Sequence, residues 1–399
     1  MLVGIVGKPS CGKSTFFKAS TLADVEIANY PFTTIKPNHA VGFVRVDCVD
    51  KEFGKQCKPR IGYCVEHQRF VPIDMIDVAG LVPGAHEGLG MGNQFLDDLR
   101  QADVLVHVID VSGSVNEKGE SVVPLSYDPA KDIKFLEEEL DFWYLNVFKK
   151  VWEKFARTTQ AAHEDVNKAI SKQFSGLRVT ENMVKDTLKM LTLHEKPVIN
   201  WTDEELFSVV REFRKKTKPM IISANKIDVP GADKNFERLK KEFPDYMIVP
   251  SSAESELALR EAAKHGLIDY VPGASDFKIK DETKLNDKQK KALEFIRANI
   301  LQKFGKTGVQ EVLDKAVFEF LGYIAVYPGG VNKLEDSEGR TLPDCFLMPK
   351  GTTALDFAFK LHTDFGKNFV KAINVKTKMP IGKDVPLENR SVIEIMSSK

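Results

Sequence analysis

Gly7-Lys8-Pro9-Ser10-Cys11-Gly12-Lys13-Ser14 is the stretch on which the reading of this chain turns. It follows an apolar run of strand length, Leu2-Val3-Gly4-Ile5-Val6, and leads into the helix-compatible Thr15-Phe16-Phe17-Lys18-Ala19. A G-x-x-x-x-G-K-S pattern between a strand and a helix describes a loop whose backbone N–H groups cradle phosphates, its glycines allowing the tight turn. Lys13 would reach the β- and γ-phosphates and Ser14 would offer its hydroxyl to Mg2+, while the helix start turns its positive dipole end toward the same anions. The contacts expected here are Gly7, Lys8, Pro9, Ser10, Cys11, Gly12, Lys13, Ser14 and Thr15.

Working outward, Asp77-Val78-Ala79-Gly80 follows the apolar strand Phe70-Val71-Pro72-Ile73-Asp74-Met75-Ile76. Asp77 is placed to hold magnesium through water, and the Gly80 N–H to meet a γ-phosphate. Between the two elements lies Asn29-Tyr30-Pro31-Phe32-Thr33-Thr34-Ile35-Lys36-Pro37, too proline-punctuated for a helix. A threonine here completes the magnesium shell only when the γ-phosphate is present, which makes the loop a sensor of nucleotide state. Thr34 is the residue chosen. Lys13, Thr34 and Gly80 are the expected catalytic set, and Ser14, Thr34 and Asp77 the metal set.

Leu81 stands where a water-orienting glutamine is common, and leucine cannot align an attacking water. Intrinsic turnover is therefore expected near or below about 10⁻⁴ to 10⁻² per second unless polar groups are borrowed. His86 and Glu87 are the nearest titratable residues in the glycine-rich stretch that follows.

The base reader comes later. Pro219-Met220-Ile221-Ile222-Ser223-Ala224 leads into Asn225-Lys226-Ile227-Asp228, an N-K-x-D arrangement. An aspartate at the last position accepts from N1–H and the exocyclic amine of guanine, and with adenine it would stay desolvated and unpaired, so discrimination can reach about 10⁴ to 10⁵. Lys226 is expected along the base and ribose, and Asn225 to tie this loop to the phosphate loop. Ser251-Ser252-Ala253, after the strand Tyr246-Met247-Ile248-Val249-Pro250, is expected to cap the guanine O6 through its backbone. The ligands implied are GTP and GDP with Mg2+.

Bulk properties bound the rest. At 399 residues, two or three domains are expected. Fifty-seven basic and fifty-seven acidic residues cancel, so no global field draws the chain onto DNA or a membrane. No run approaches the roughly 20 apolar residues of a membrane span, and five cysteines make no disulfide framework, so a cytoplasmic location is expected.

With these residues in hand, the chain resembles the Obg-related translational GTPases, especially the YchF-like branch with a carboxyl-terminal TGS domain. The most specific markers are Tyr30-Pro31-Phe32-Thr33-Thr34, Asp77 through Ala85, and Phe346-Leu347-Met348-Pro349-Lys350-Gly351-Thr352-Thr353-Ala354-Leu355-Asp356-Phe357-Ala358. The resemblance implies a guanine-nucleotide switch acting on ribosomes or ribosome-bound factors, with rRNA or ribosome contact through the TGS and helical parts. YchF itself resembles this chain but has a changed base-reading motif and prefers ATP, whereas Asn225, Lys226 and Asp228 keep the guanine type. Many relatives have asparagine where Ser10 stands, so their potassium activation is not carried over.

The expected architecture is α/β: a Ras-like P-loop GTPase domain over 1–272 with a helical insertion at about 130–197, a helical connector over 273–317, and a β-grasp TGS domain over 318–399. Phe135, Leu136, Leu140, Trp143, Tyr144, Val147, Phe148, Val151, Trp152 and Phe155 recur at spacings of three and four. They predict the seam of a helical hairpin whose return helix includes Glu181 to Leu193. Cys57, Cys64 and His67 lie close together in sequence without a tight C-x-x-C pair, so a polar insertion is expected there in place of a metal site. Two alternatives stay open: an ATPase of the YchF kind, and a GTP-binding interaction protein with negligible turnover.

Overall fold

The computed structural model describes residues 1–22, 38–78 and 99–398. Its strands are β1 (Leu2–Val6), β2 (His39–Asp47), β3 (Tyr63–Val65), β4 (Gln68–Asp77), β5 (Val104–Asp110), β6 (Met220–Asn225), β7 (Ile248–Pro250), β8 (Ile268–Asp269), β9 (Lys278–Ile279), β10 (Tyr323–Pro328), β11 (Phe346–Pro349), β12 (Phe369–Asn374), β13 (Met379–Ile381) and β14 (Ser391–Ser397). The helices that matter below are α1 (Lys13–Thr21), α2 (Ala130–Ala161), α3 (Val166–Gln173), α4 (Glu181–Met190), α5 (Asp203–Thr217), α6 (Ala232–Glu242), α7 (Ala253–Lys264) and α8 (Ala354–Leu361). The chain divides into two compact units, Met1–Ser14 with Ile76–Ser251, and Thr15–Met75 with Ser252–Lys399. These units cut across the consecutive segments expected from the sequence.

In the first unit β1, β5, β6 and β7 are parallel neighbours, with Val6 opposite His107 and Asp110 opposite Asn225. The end of β4 lies beside β1, where the Val78 N–H donates to the Ile5 carbonyl at 3.0 Å. Every residue of β5 and β6 is buried. Parallel strands covered on both faces require such near-continuous apolar runs, and ligands bind at their carboxyl ends. The phosphate loop leaves β1 there, Asp77 ends β4, and Asn225 ends β6.

Most of the aromatic stripe of α2 is buried, with Phe135, Val147 and Phe155 half-buried and Val151 exposed. Its first half, Leu136 and Leu140, packs with Val6, Ile76 and Leu105 of the sheet. Its second half, Trp143, Tyr144, Phe148 and Trp152, builds a separate core with Phe174, Leu188, Trp201 and Phe213. The Phe148 and Phe174 rings stack, and Trp152 stacks on Trp201 with ring centroids 5.3 Å apart. The stripe is thus a packing seam.

Its return partner differs from the expected one. Residues 181–190 do form a helix, α4, but the helix lying along α2 is α5. A capping box of Thr202 and Glu205 starts α5, and Leu206, Val209, Val210 and Phe213 give it an apolar face at helical spacing. Arg214 Nε donates to Asp141 Oδ1 at 2.7 Å across the same seam. The helical packing therefore continues past residue 197.

In the second unit the carboxyl-terminal sheet has the order β11-β10-β14-β12-β13, with β10 and β14 parallel and the other neighbours antiparallel. Helix α8, opened by a Thr353–Asp356 capping box, covers it through Ala354 and Phe357. Numbered from β10, the order is 2-1-5-3-4 with one covering helix, the β-grasp arrangement. No helix among the described residues is long and apolar enough to cross a membrane.

Candidate nucleotide site

The phosphate loop closes against β5 and β6. A Cβ on Gly7 would lie 2.5 Å from the Val108 carbonyl oxygen, and one on Gly12, whose φ is +93°, would lie 2.2 Å from Asn225 Nδ2. Both positions therefore require glycine. Asn225 Nδ2 donates to the Cys11 carbonyl at 2.9 Å, so the base-reading loop is fastened to the phosphate loop by one side chain. Cys11 itself is fully buried, and burial pushes its thiol up to about 12, which leaves it a protonated packing group.

Lys13 opens α1 with its ammonium paired to the Asp77 carboxylate. The pair is neither sealed nor free: the two side chains are 13% and 19% exposed. Ser14, at the same helix start, is exposed. The oxygen donors here, one hydroxyl and one carboxylate, are the hard kind that suits magnesium. Thr34, Gly80, Leu81, His86 and Glu87 lie outside the described residues.

The side chain of Lys8 is buried within the protein. Its ammonium is buried between the Val115 carbonyl (2.7 Å) and Asp132 (2.8 Å), over the Tyr127 ring. Tyr127 also donates to Asp132, whose carboxyl is raised by burial while Lys8 pulls the other way. The side chain of Lys8 thus anchors the loop from beneath. Pro9 packs against Gly119, and Ser10 carries a φ of +63°.

The N-K-x-D loop is held from three sides. Lys226, at φ +63°, places its ammonium 3.0 Å from Asp110 Oδ2. Asp110 is fully buried and also accepts from the Ser112 N–H and from the Ser112 and Ser114 hydroxyls. The Ile227 N–H donates to the Ser251 carbonyl. Asp228 is half-buried beyond them.

Asp110 is the functional residue that motif reading missed, since it aligns Lys226 from the neighbouring strand. Its signal is a carboxylate at the last position of a strand that is apolar but for His107. The Ser251 and Ser252 N–H groups, two of those expected to cap guanine O6, have partners within the protein. The Ser251 N–H donates to the Ala224 carbonyl and the Ser252 N–H to the Thr307 carbonyl. The Ser252 hydroxyl caps α7. These groups are spent inside the protein, where they hold the strand end in place.

A phosphate loop at the end of β1, a carboxylate at the end of β4 and an N-K-x-D loop at the end of β6 together define a P-loop GTP-binding protein. Residues 2–136 match the family model described as 50S ribosome-binding GTPase. Residues 223–330 match the G4 motif-containing domain of the Obg-like GTPases called YGR210-like, and residues 338–397 match the TGS domain. The chain is 47% identical over 398 residues to an uncharacterized GTP-binding protein of Methanocaldococcus jannaschii, covering 100% of this chain and 99% of that one. It is 28% identical over 379 residues to the ribosome-binding ATPase YchF of Buchnera aphidicola, covering 94% and 88%. A crystal structure of a GTP-binding protein from Pyrococcus horikoshii is similar along both chains (100% of each), with a TM-score of 0.78 at 36% identity. The chain belongs to the Obg-like GTP-binding proteins that carry a carboxyl-terminal TGS domain.

Proposed function

We propose that this chain binds GTP in preference to ATP, hydrolyses it slowly to GDP and phosphate, and acts in the cytoplasm as a nucleotide switch on ribosomes. The hydrogen bond from Asn225 to the Cys11 carbonyl carries the reading, because it joins the base-reading and phosphate-binding elements into one site. Nucleotide binding would exchange the partners of Lys13, whose ammonium moves from Asp77 to the β- and γ-phosphates. Ser14, Thr34 and Asp77 would hold magnesium, which when bound neutralises charge on the phosphates. Lys226, aligned by Asp110, would lie along the base, and Asp228 would accept from guanine.

Gly80 and Thr34 would answer to the γ-phosphate, so that hydrolysis releases their loops and changes how the TGS and helical parts meet a ribosomal partner. The ribosomal partner is supported by the family description of residues 2–136 and by the name of the YchF relative. That relative's name also keeps an ATPase reading in view, against which the intact Asp228 stands.

The test is multiple-turnover phosphate release with GTP or ATP, with and without ribosomes. Slow GTP turnover that ribosomes accelerate is the expected result. Faster turnover of ATP would overturn the guanine assignment, and GTP turnover indistinguishable from buffer under both conditions would overturn the enzymatic one.

A further inference from the structure

The loop between β2 and β3, expected to be a polar insertion, instead gathers Cys48, Asp50 and Cys57 around Cys64 of β3. One ligand atom from each of Cys48, Asp50, Cys57 and Cys64 lies within 4.8 Å of the others. Cys48 Sγ and Cys57 Sγ are 3.5 Å apart, and Cys64 Sγ is 3.9 Å from Asp50 Oδ2. Sulfurs sharing one tetrahedral zinc, each about 2.3 Å from it, stand roughly 3.7 Å apart. A disulfide would need about 2.05 Å, and all the cysteines are free.

The surroundings suit a cation held by thiolates. Asp50 is fully buried, and its other oxygen meets His67 Nδ1 at 3.0 Å, the outer support that ligating carboxylates ordinarily have. Arg69 is 1% exposed. Among the described residues its guanidinium reaches the Leu342 and Pro343 carbonyls and, at 3.6 Å, the Cys57 sulfur. A buried guanidinium always carries its charge and needs a counter-charge. Thiolates supply one, but three thiolates and a carboxylate together need a divalent cation.

We propose that Cys48, Asp50, Cys57 and Cys64 hold one structural Zn2+. The donor set is sulfur-rich and closed, the kind that selects zinc, and it leaves no position for substrate. The metal cross-links residues 48–64, a segment whose backbone meets the carboxyl-terminal module. There the Lys58 N–H donates to the Thr341 carbonyl and the Arg60 N–H to the Pro343 carbonyl, both at 2.9 Å. Arg390 and Lys376 add ion pairs to Glu52 on the same loop.

The full chain, purified without chelator from zinc-supplemented cells, is expected to carry about one zinc. Cys345→Ser should retain it and Cys64→Ser should hold less than about a tenth as much. Cobalt substituted into the wild type gives a reading that does not depend on variants folding. Intense visible bands of tetrahedral cobalt thiolate, displaced by zinc, are expected, with trypsin cutting at Lys55 or Arg60 only after chelation. A wild-type chain that holds no zinc and gives no such bands would overturn the proposal. So would a non-reduced peptide map showing a disulfide between Cys48 and Cys57 in that preparation.

Discussion

At the nucleotide end of the first unit Lys8, Lys13 and Lys226 each meet a carboxylate, whereas in the second unit the buried Arg69 beside the cysteine loop meets carbonyls and sulfur. Lys8 pairs with Asp132, Lys226 with Asp110 and Lys13 with Asp77. Arg69 has the Leu342 and Pro343 carbonyls and Cys57. The first arrangement is electrostatically complete as it stands, so in the proposed function a ligand would enter by exchanging partners. Lys8 and Asp132 are almost wholly enclosed, which fits them for anchorage, while the more accessible Lys13 and Asp77 are free to trade. The second arrangement is complete only when thiolates and a cation are added together. Burial with pairing makes an anchor, partial exposure with pairing makes a switch, and burial without a carboxylate marks a place for a metal.

Arg69→Ala tests this contrast at its most buried point. It should lower stability by about 3 to 5 kcal/mol in urea unfolding, because two carbonyls and the thiolate set lose their cation. A loss under about 1 kcal/mol would mean that the buried charge is dispensable. Lys13→Ala should follow, lowering GTP turnover by about 10² to 10³ with a normal unfolding curve, as removal of a charge-assisted donor at reacting phosphate does. Wild-type turnover would break the exchange argument.

Asp110→Asn sharpens the distinction between anchor and ligand. By freeing Lys226 it should weaken guanine-nucleotide binding by roughly tenfold, about 1.4 kcal/mol, with little change in the phosphate contacts seen with inorganic triphosphate. Equal weakening of both probes would place Asp110 in the general fold instead.

The smallest effect concerns Asp314 of the second unit, which accepts from the Arg45 N–H and from Gln310. Burial raises its carboxyl to about 6, against the donors that pull it down. The folded chain therefore keeps a proton that the unfolded chain has released between about pH 4 and pH 6. This group costs stability above pH 6, and the cost fades as pH falls through that window. Wild type should gain on the order of 1 kcal/mol relative to Asp314→Asn between pH 7 and pH 5. A flat difference would show the carboxyl to be ionised throughout.

The nucleotide loops were legible because their chemistry is local: Gly7 to Ser14 and Asn225 to Asp228 each place all their atoms on one turn of chain. Asp110 was not, since its partner Lys226 lies 116 residues away and only the parallel register of β5 and β6 joins them. The cysteines failed for a related reason. Cys48, Cys57 and Cys64 are too widely spaced to form a motif and meet because the chain between them turns back on itself, through Gly54 and Gly62 in left-handed backbone conformations. The seam of α2 was visible as a period, but a period does not name its partner. The buried face of α5 resembles that of α4, and tertiary packing chose α5. Short strands and a helix near Thr353 were readable as a pattern, but the β-grasp module was named through the resemblance of Phe346 to Ala358 to TGS domains.

Calorimetric titration of GTP, GDP and ATP with magnesium, on wild type and Asp228→Ala, tests the central claim most directly. The account requires wild type to prefer guanine nucleotides by at least about 10² and the variant to lose that preference while keeping affinity for the triphosphate. Equal or tighter ATP binding by wild type would contradict it.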